Sequence, residues 1–208
     1  MDTSILHPDR LFPADPATRT LARDLYKSVE ALPIVSPHGH TDPRWWGENP
    51  AFTDPAALFV TPDHYVTRMM TSQGVSFESL GIGEHREKDP RKIWQTFADH
   101  YYLFAGTPSR IWVDDALARL FGVTQRLGPD TANDIYDAIA DRLPNPDTSP
   151  RALYDRFGIE VIATTDSALD DLAWQAAARD SDWTGRVVPT YRPDAVIDPD
   201  TQGFTLNL

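Results

Sequence analysis

The stretch Ile34-Val35-Ser36-Pro37-His38-Gly39-His40-Thr41-Asp42-Pro43 decides how the chain is read. A short apolar run ends in two histidines one residue apart. In an extended strand side chains alternate faces, so His38 and His40 point the same way. Two imidazoles on one face at a strand end can hold a single divalent metal, and Gly39 between them adds no bulk. The plain alternative is a pair of surface histidines after a strand, because an isolated His-x-His is a weak motif. Context favours the metal. The pair follows a buried-looking strand, and chemistry in α/β folds gathers at the C-terminal ends of strands. The expectation is a piece of a metal-dependent barrel enzyme.

Composition narrows the class. The chain has 208 residues, enough for a single domain with a sizeable core, and 41% of them are hydrophobic, with 6 Trp, 7 Tyr and 9 Phe. That is a globular composition. A formal net charge of −12 argues against nucleic acid, whose phosphates need a basic surface. An anionic substrate would need local Arg or Lys against this background. There is no cysteine, so disulfides are excluded. Met1 to Phe12 lacks an apolar segment of signal-peptide length, and no run approaches the ~20 apolar residues of a membrane span. A cytoplasmic enzyme without a membrane partner is the expectation.

Helix starts are marked by a capping residue followed by proline at Asp15-Pro16, Asp54-Pro55, Thr61-Pro62, Asp89-Pro90, Thr107-Pro108 and Ser149-Pro150. Helical spacing puts Ile93, Trp94, Phe97, Ala98, Tyr101 and Phe104 on one face. Ile111, Trp112, Ala116, Leu117, Leu120 and Phe121 form another, and Ile135, Tyr136, Ile139 and Leu143 a third. These aromatics read as core packing. Residues from about 50 to 157 thus read as helices with no strand among them. Strands flank that span: Ile34 to Pro37, Ile159 to Asp166, and Arg186 to Arg192. The last two enclose a helix whose apolar side carries Leu169, Leu172, Ala173, Ala176 and Ala177, a β-α-β unit of a parallel sheet. A (β/α)8 barrel needs eight strands and usually ~250 residues. Three strands leave either a small open sheet or part of a longer barrel.

Four separated stretches, in order, resemble the uronate isomerase family of the amidohydrolase superfamily. Ser36-Pro37-His38-Gly39-His40 looks like the family's metal-binding His-x-His after strand one. Asp63-His64-Tyr65, with Arg68-Met69-Met70 and Gly74, looks like its His-Tyr helix motif. Ala163-Thr164-Thr165-Asp166 resembles the end of strand two, and Tyr191-Arg192-Pro193-Asp194 the end of strand three. The resemblance covers about Leu11 to Asp198. It implies the fold class: α/β, the N-terminal part of a metal-dependent (β/α)8 TIM-type barrel, with a large helical insertion after strand one. The whole of 1–208 then reads as one incomplete barrel domain.

The resemblance also implies the activity, isomerisation of D-glucuronate to D-fructuronate and of D-galacturonate to D-tagaturonate in sugar-acid catabolism. Such a reaction needs an electrophile to polarise the carbonyl and a group to relay the proton. His38 and His40 would be metal ligands, with zinc the expected ion for imidazole nitrogens. His64 and Tyr65 would serve ring opening or proton relay; without the resemblance they read as a surface residue and a core residue. Arg192, at a strand end, suits a carboxylate or an enediolate oxygen, or else a salt bridge with Asp194. Arg68, about one turn from His64, would orient the substrate carboxylate or pair with a surface acid. Asp166 would contact substrate, cap the next helix or brace a ligand. His7, His85 and His100 receive no role.

Family chains are roughly twice this length and draw further groups from later strands, including an Asp from strand eight and an Arg shortly after it. Two histidines without a carboxylate make an incomplete zinc site. The chain alone is therefore expected to be inactive or poorly folded, with a missing C-terminal half or a homo-oligomer as its partner. Two other functions stay open: a metal-dependent hydrolase of the same superfamily, which the His pair suits equally, and a non-catalytic fragment.

Overall fold

The computed structural model describes residues 5–201 and 203–207. The chain divides into two compact units. One takes the residues up to Arg23 together with Phe52–Thr148; the other takes Asp24–Ala51 together with the residues from Ser149 on. Every regular element between residues 52 and 157 is helical.

The second unit is α/β. Its sheet has three parallel strands in the order β1 (Ile34–Ser36), β2 (Ile159–Ser167), β3 (Arg186–Arg192). The central strand β2 buries Ile162, Ala163, Thr164 and Asp166, residues from both of its faces, as a parallel strand covered on two sides does. Pro189, which has no N–H to give a ladder, lies on the edge strand β3. β1 corrects one expectation. It is an edge strand with a register shift between Ile34 and Val35, and those two side chains are 48% and 58% exposed rather than buried.

Helices Pro43–Glu48, Pro150–Arg156 and Ala173–Arg179 belong to the same unit. The core joins Trp46, Tyr154, Ile162 and Ala178, with Trp183 and Val187 packed against them. Trp183 stacks on Trp46 at 6.0 Å between centroids and meets Tyr154 edge-on at 4.9 Å. The Tyr154 hydroxyl donates to the Glu160 carbonyl at 2.6 Å and accepts from the Arg186 amide at 3.0 Å, tying the starts of β2 and β3 together. Helix Ala173–Arg179 differs from expectation. Leu172 is its N-cap in the left-handed region, φ 55°, and Leu169 lies outside it and is exposed. The helix buries Gln175 and Ala178 instead, so a polar residue sits on the packed face.

The helical unit builds its core around Trp94, Phe97, Tyr101 and Phe104, all 1% exposed or less, with Met70, Leu80, Leu117 and Ile139. Full burial of each such side chain contributes about 1.5–3 kcal/mol. Trp94 is satisfied as well as buried: its indole N–H donates to the Ala132 carbonyl at 2.9 Å. The Ile135 and Ile93 faces are as expected. Trp112 is not. Leu117, Leu120 and Phe121 of the expected stripe are buried, but in helix Pro108–Arg119 the other buried residue is Val113, and Trp112 is 61% exposed.

Candidate functional site

β1 ends at Ser36, so His38 and His40 lie just beyond the strand rather than on it. Their rings nonetheless converge. The two Nε2 atoms are 2.8 Å apart, with ring centroids at 4.8 Å and planes at 73°. Both side chains are exposed. The loop carrying them is pinned on each side. The Thr165 hydroxyl of β2 donates to the Gly39 carbonyl at 2.7 Å. Gly39 lies so close to β2 that a Cβ there would come within 2.8 Å of the Ala163 carbonyl oxygen. Beyond the pair, Thr41 accepts from the Trp46 indole at 3.1 Å. Asp42 then caps helix Pro43–Glu48 by accepting from the Arg44 amide at 2.9 Å, with Pro43 in the first turn.

This pair fits part of a metal site. Two imidazole nitrogens on one tetrahedral zinc stand roughly 3.3 Å apart, given Zn–N distances of about 2.0–2.1 Å. The observed separation needs only a small outward shift to admit a cation. The two nitrogens stand at hydrogen-bonding distance, and which one donates depends on the tautomer. Among the described residues, no group of three or more His, Asp or Glu is arranged to hold a metal.

Because the sheet is parallel, the ends of β2 and β3 lie at the same edge. Asp166 is 3% exposed, and both carboxylate oxygens are engaged. Oδ2 accepts from the Thr164 hydroxyl at 2.8 Å, and Oδ1 from the Gln175 amide at 2.7 Å. Buried and bonded to the next helix, Asp166 braces the end of β2. Arg192 is exposed, and its Nε donates to Asp194 at 3.2 Å. Both partners of that pair are half exposed or more, a setting where an ion pair contributes about 0–1 kcal/mol and is readily exchanged.

His64, Tyr65 and Arg68 belong to the helical unit, in helix His64–Thr71. Thr61 does not cap this helix, since its hydroxyl donates to the Leu80 carbonyl. Asp63 does, accepting from the amides of Tyr65 at 2.8 Å and Val66 at 3.2 Å. The first turns of this helix leave all three side chains exposed. The His64 and Tyr65 rings lie 4.2 Å apart, and the Arg68 guanidinium stands 5.5 Å from the Tyr65 ring centre. Tyr65 also borders a groove of about 380 Å³ shared with Met69, Phe104, Pro108 and Trp112. Tyr65 is therefore not a core residue.

Two residues of this region carry no role in the sequence reading. Thr165 was legible only as half of a Thr-Thr pair at a strand end. Gln175 could have been found as a polar residue breaking into the apolar face of a short helix.

A family model described as Glucuronate isomerase matches residues 16–207. The chain is 55% identical over 208 residues to a uronate isomerase of Rhizobium meliloti (strain 1021), covering 98% of this chain and 44% of the relative. It is 57% identical over 203 residues to one of Rhizorhabdus wittichii, covering 98% and 43%. A crystal structure of glucuronate isomerase from Caulobacter crescentus superposes with a TM-score of 0.92 at 47% identity, over 97% of this chain and 43% of that one. A uronate isomerase from Thermotoga maritima does so with a TM-score of 0.84 at 28% identity, over 96% and 42%. The chain spans less than half the length of the relatives it matches.

Proposed function

Since this chain belongs to the glucuronate isomerase family, we propose that it supplies the first strands and the helical insertion of a (β/α)8 barrel that interconverts aldose and ketose hexuronates. The substrates are D-glucuronate and D-galacturonate, the products D-fructuronate and D-tagaturonate, and the setting is cytoplasmic sugar-acid catabolism. No helix among the described residues is long and apolar enough to cross a membrane. The observation that carries the reading is the convergence of His38 and His40 at the C-terminal edge of a parallel sheet, where barrel enzymes gather their chemistry.

His38 and His40 hold a divalent metal, zinc by the nature of the donors, which when bound supplies Lewis-acid polarisation of an oxygen. His64 and Tyr65 handle protons. The reaction moves one from C2 to C1 through an enediol, and an imidazole beside a phenol offers both an acceptor and a donor. Arg192 and Arg68 hold the anionic oxygens, their planar forks matching a carboxylate. Asp166 holds the end of β2 rather than the sugar. Further ligands come from strands outside these 208 residues, so this chain alone does not turn over substrate.

The test is a graft. This chain replaces the matching segment of a full-length family relative, and the zinc-loaded chimera is given D-glucuronate, D-galacturonate, and simple esters and lactones. Ketose formation that is lost in H38A and H40A supports the reading. A folded, zinc-loaded chimera that hydrolyses the esters and leaves the uronates untouched overturns it in favour of a hydrolase.

A further inference from the structure

We propose that Thr165 is a positioning residue that sets the convergence of His38 and His40. The inference rests on the reading of that pair as metal ligands.

Side chains alternate along β2. Thr164 and Asp166 turn to helix Ala173–Arg179, where both meet the Gln175 amide. Thr165 therefore turns to the opposite face. There its hydroxyl donates at 2.7 Å to the carbonyl of Gly39, the residue between the two histidines. That carbonyl belongs to the peptide plane leading into His40. Fixing it fixes ψ of Gly39 and hence how the His40 ring lies relative to the His38 ring.

Glycine at this position is both required and a liability. It is required because a Cβ would come within 2.8 Å of the Ala163 backbone oxygen. It is a liability because glycine has the widest backbone freedom of any residue, so an unrestrained Gly39 would let the two imidazoles wander. The hydroxyl of Thr165 removes that freedom from outside, and it does so from the central, buried strand of the sheet. The contact to the Ala163 carbonyl sets how deep the loop sits, and the Thr165 bond sets its twist. Groups that orient ligands in this way commonly account for 10–100-fold in metal affinity.

The experiment uses the chimeric enzyme that carries this chain, so that the ligands from later strands are present, and its variants T165V, T165S and T190V. Thr190 is the register partner of Thr165 on β3, so T190V deletes a hydroxyl from the same sheet as a control for general loosening. Zinc affinity is measured by competition with a chromophoric chelator. In the metal-free protein, ring contact between His38 and His40 is measured by nuclear Overhauser effects. The expected result is a 10–100-fold loss of zinc affinity and loss of the ring contact in T165V, recovery to within a few-fold in T165S, and little change in T190V. T165V binding zinc within twofold of the parent, with the ring contact intact, overturns the proposal while leaving the metal reading standing. An equal loss in T190V also overturns it. If the parent chimera binds no zinc, or binds it equally in H38A, the metal reading fails and this inference falls with it.

Discussion

The Gln175 amide donates to the Asp166 carboxylate at 2.7 Å, and both side chains are buried. A helix residue thereby holds the last turn inward of the central strand, one position beyond the residue that grips the histidine loop. Hydrogen bonds to buried charges are worth about 1.5–3 kcal/mol each, and the same amide also donates to Thr164 at 3.0 Å. Q175A should lower unfolding free energy by about 2–3 kcal/mol in urea titrations. R179A, on the exposed side of the same helix, should change it by less than about 0.5 kcal/mol. Equal effects from the two would remove the network from any account of the sheet's stability.

Gly39 offers a sharper steric test. The atom a Cβ would strike is a backbone oxygen of the central strand, which cannot swing aside as a side chain does. G39A should therefore destabilise by about 1–3 kcal/mol, the usual cost of overpacking. Gly128 serves as the contrast, since a Cβ there meets nothing within 4 Å and its φ of −172° suits any residue. G128A should fall within about 0.5 kcal/mol of the parent. Paired thermal melts decide this.

Periodicity made the helical unit readable because its apolar positions repeat every three to four residues and bury what they predict. Phe97, Tyr101, Ile135 and Ile139 are all in the core. It failed at Trp112, where packing buried Val113 instead while keeping Leu117, Leu120 and Phe121 of the expected face. The His38–His40 pair was legible as residue types, but the strand stops at Ser36, and the loop that carries the pair is held by a hydrogen bond from residue 165, more than a hundred positions away. Tertiary restraints of that kind leave no local mark in sequence. Nor did Thr61, which looked like a cap beside Pro62, reveal that Asp63 takes that place.

Asp63 governs the turn that carries His64 and Tyr65. Its carboxylate accepts from two otherwise orphaned amides, and replacing such a cap by alanine costs about 0.5–2 kcal/mol. The loss is local. D63A should speed amide hydrogen exchange at Tyr65 and Val66 while leaving Trp94 and Phe97 protected as before. In the chimeric enzyme it should reduce turnover more than zinc content, because it disturbs His64 and Tyr65, proposed to handle the proton, and not His38 and His40, proposed to hold the metal. Unchanged exchange at Tyr65 would mean that neighbouring packing holds this turn without its cap.

Tyr101 makes the helical unit sensitive to alkali. Burial, and then the adjacent Asp114 carboxylate, push its phenol above the ordinary tyrosine range, though the Arg110 guanidinium 4.0 Å over the ring opposes them. The phenol donates to Asp114 at 2.9 Å, a bond that only the neutral form can make. The unfolded chain releases this proton near pH 10, whereas the folded protein retains it. Stability from this group is therefore complete below about pH 10 and falls above it by about 1.4 kcal/mol per pH unit, until the folded phenol also ionises. Other groups titrate there too, so the informative quantity is a difference. Y101F should be less stable than the parent at pH 8, having lost the bond to Asp114, but its unfolding free energy should fall less steeply between pH 10 and 11. Parallel slopes for the two proteins would show that Tyr101 ionises in the folded state as readily as in the unfolded one.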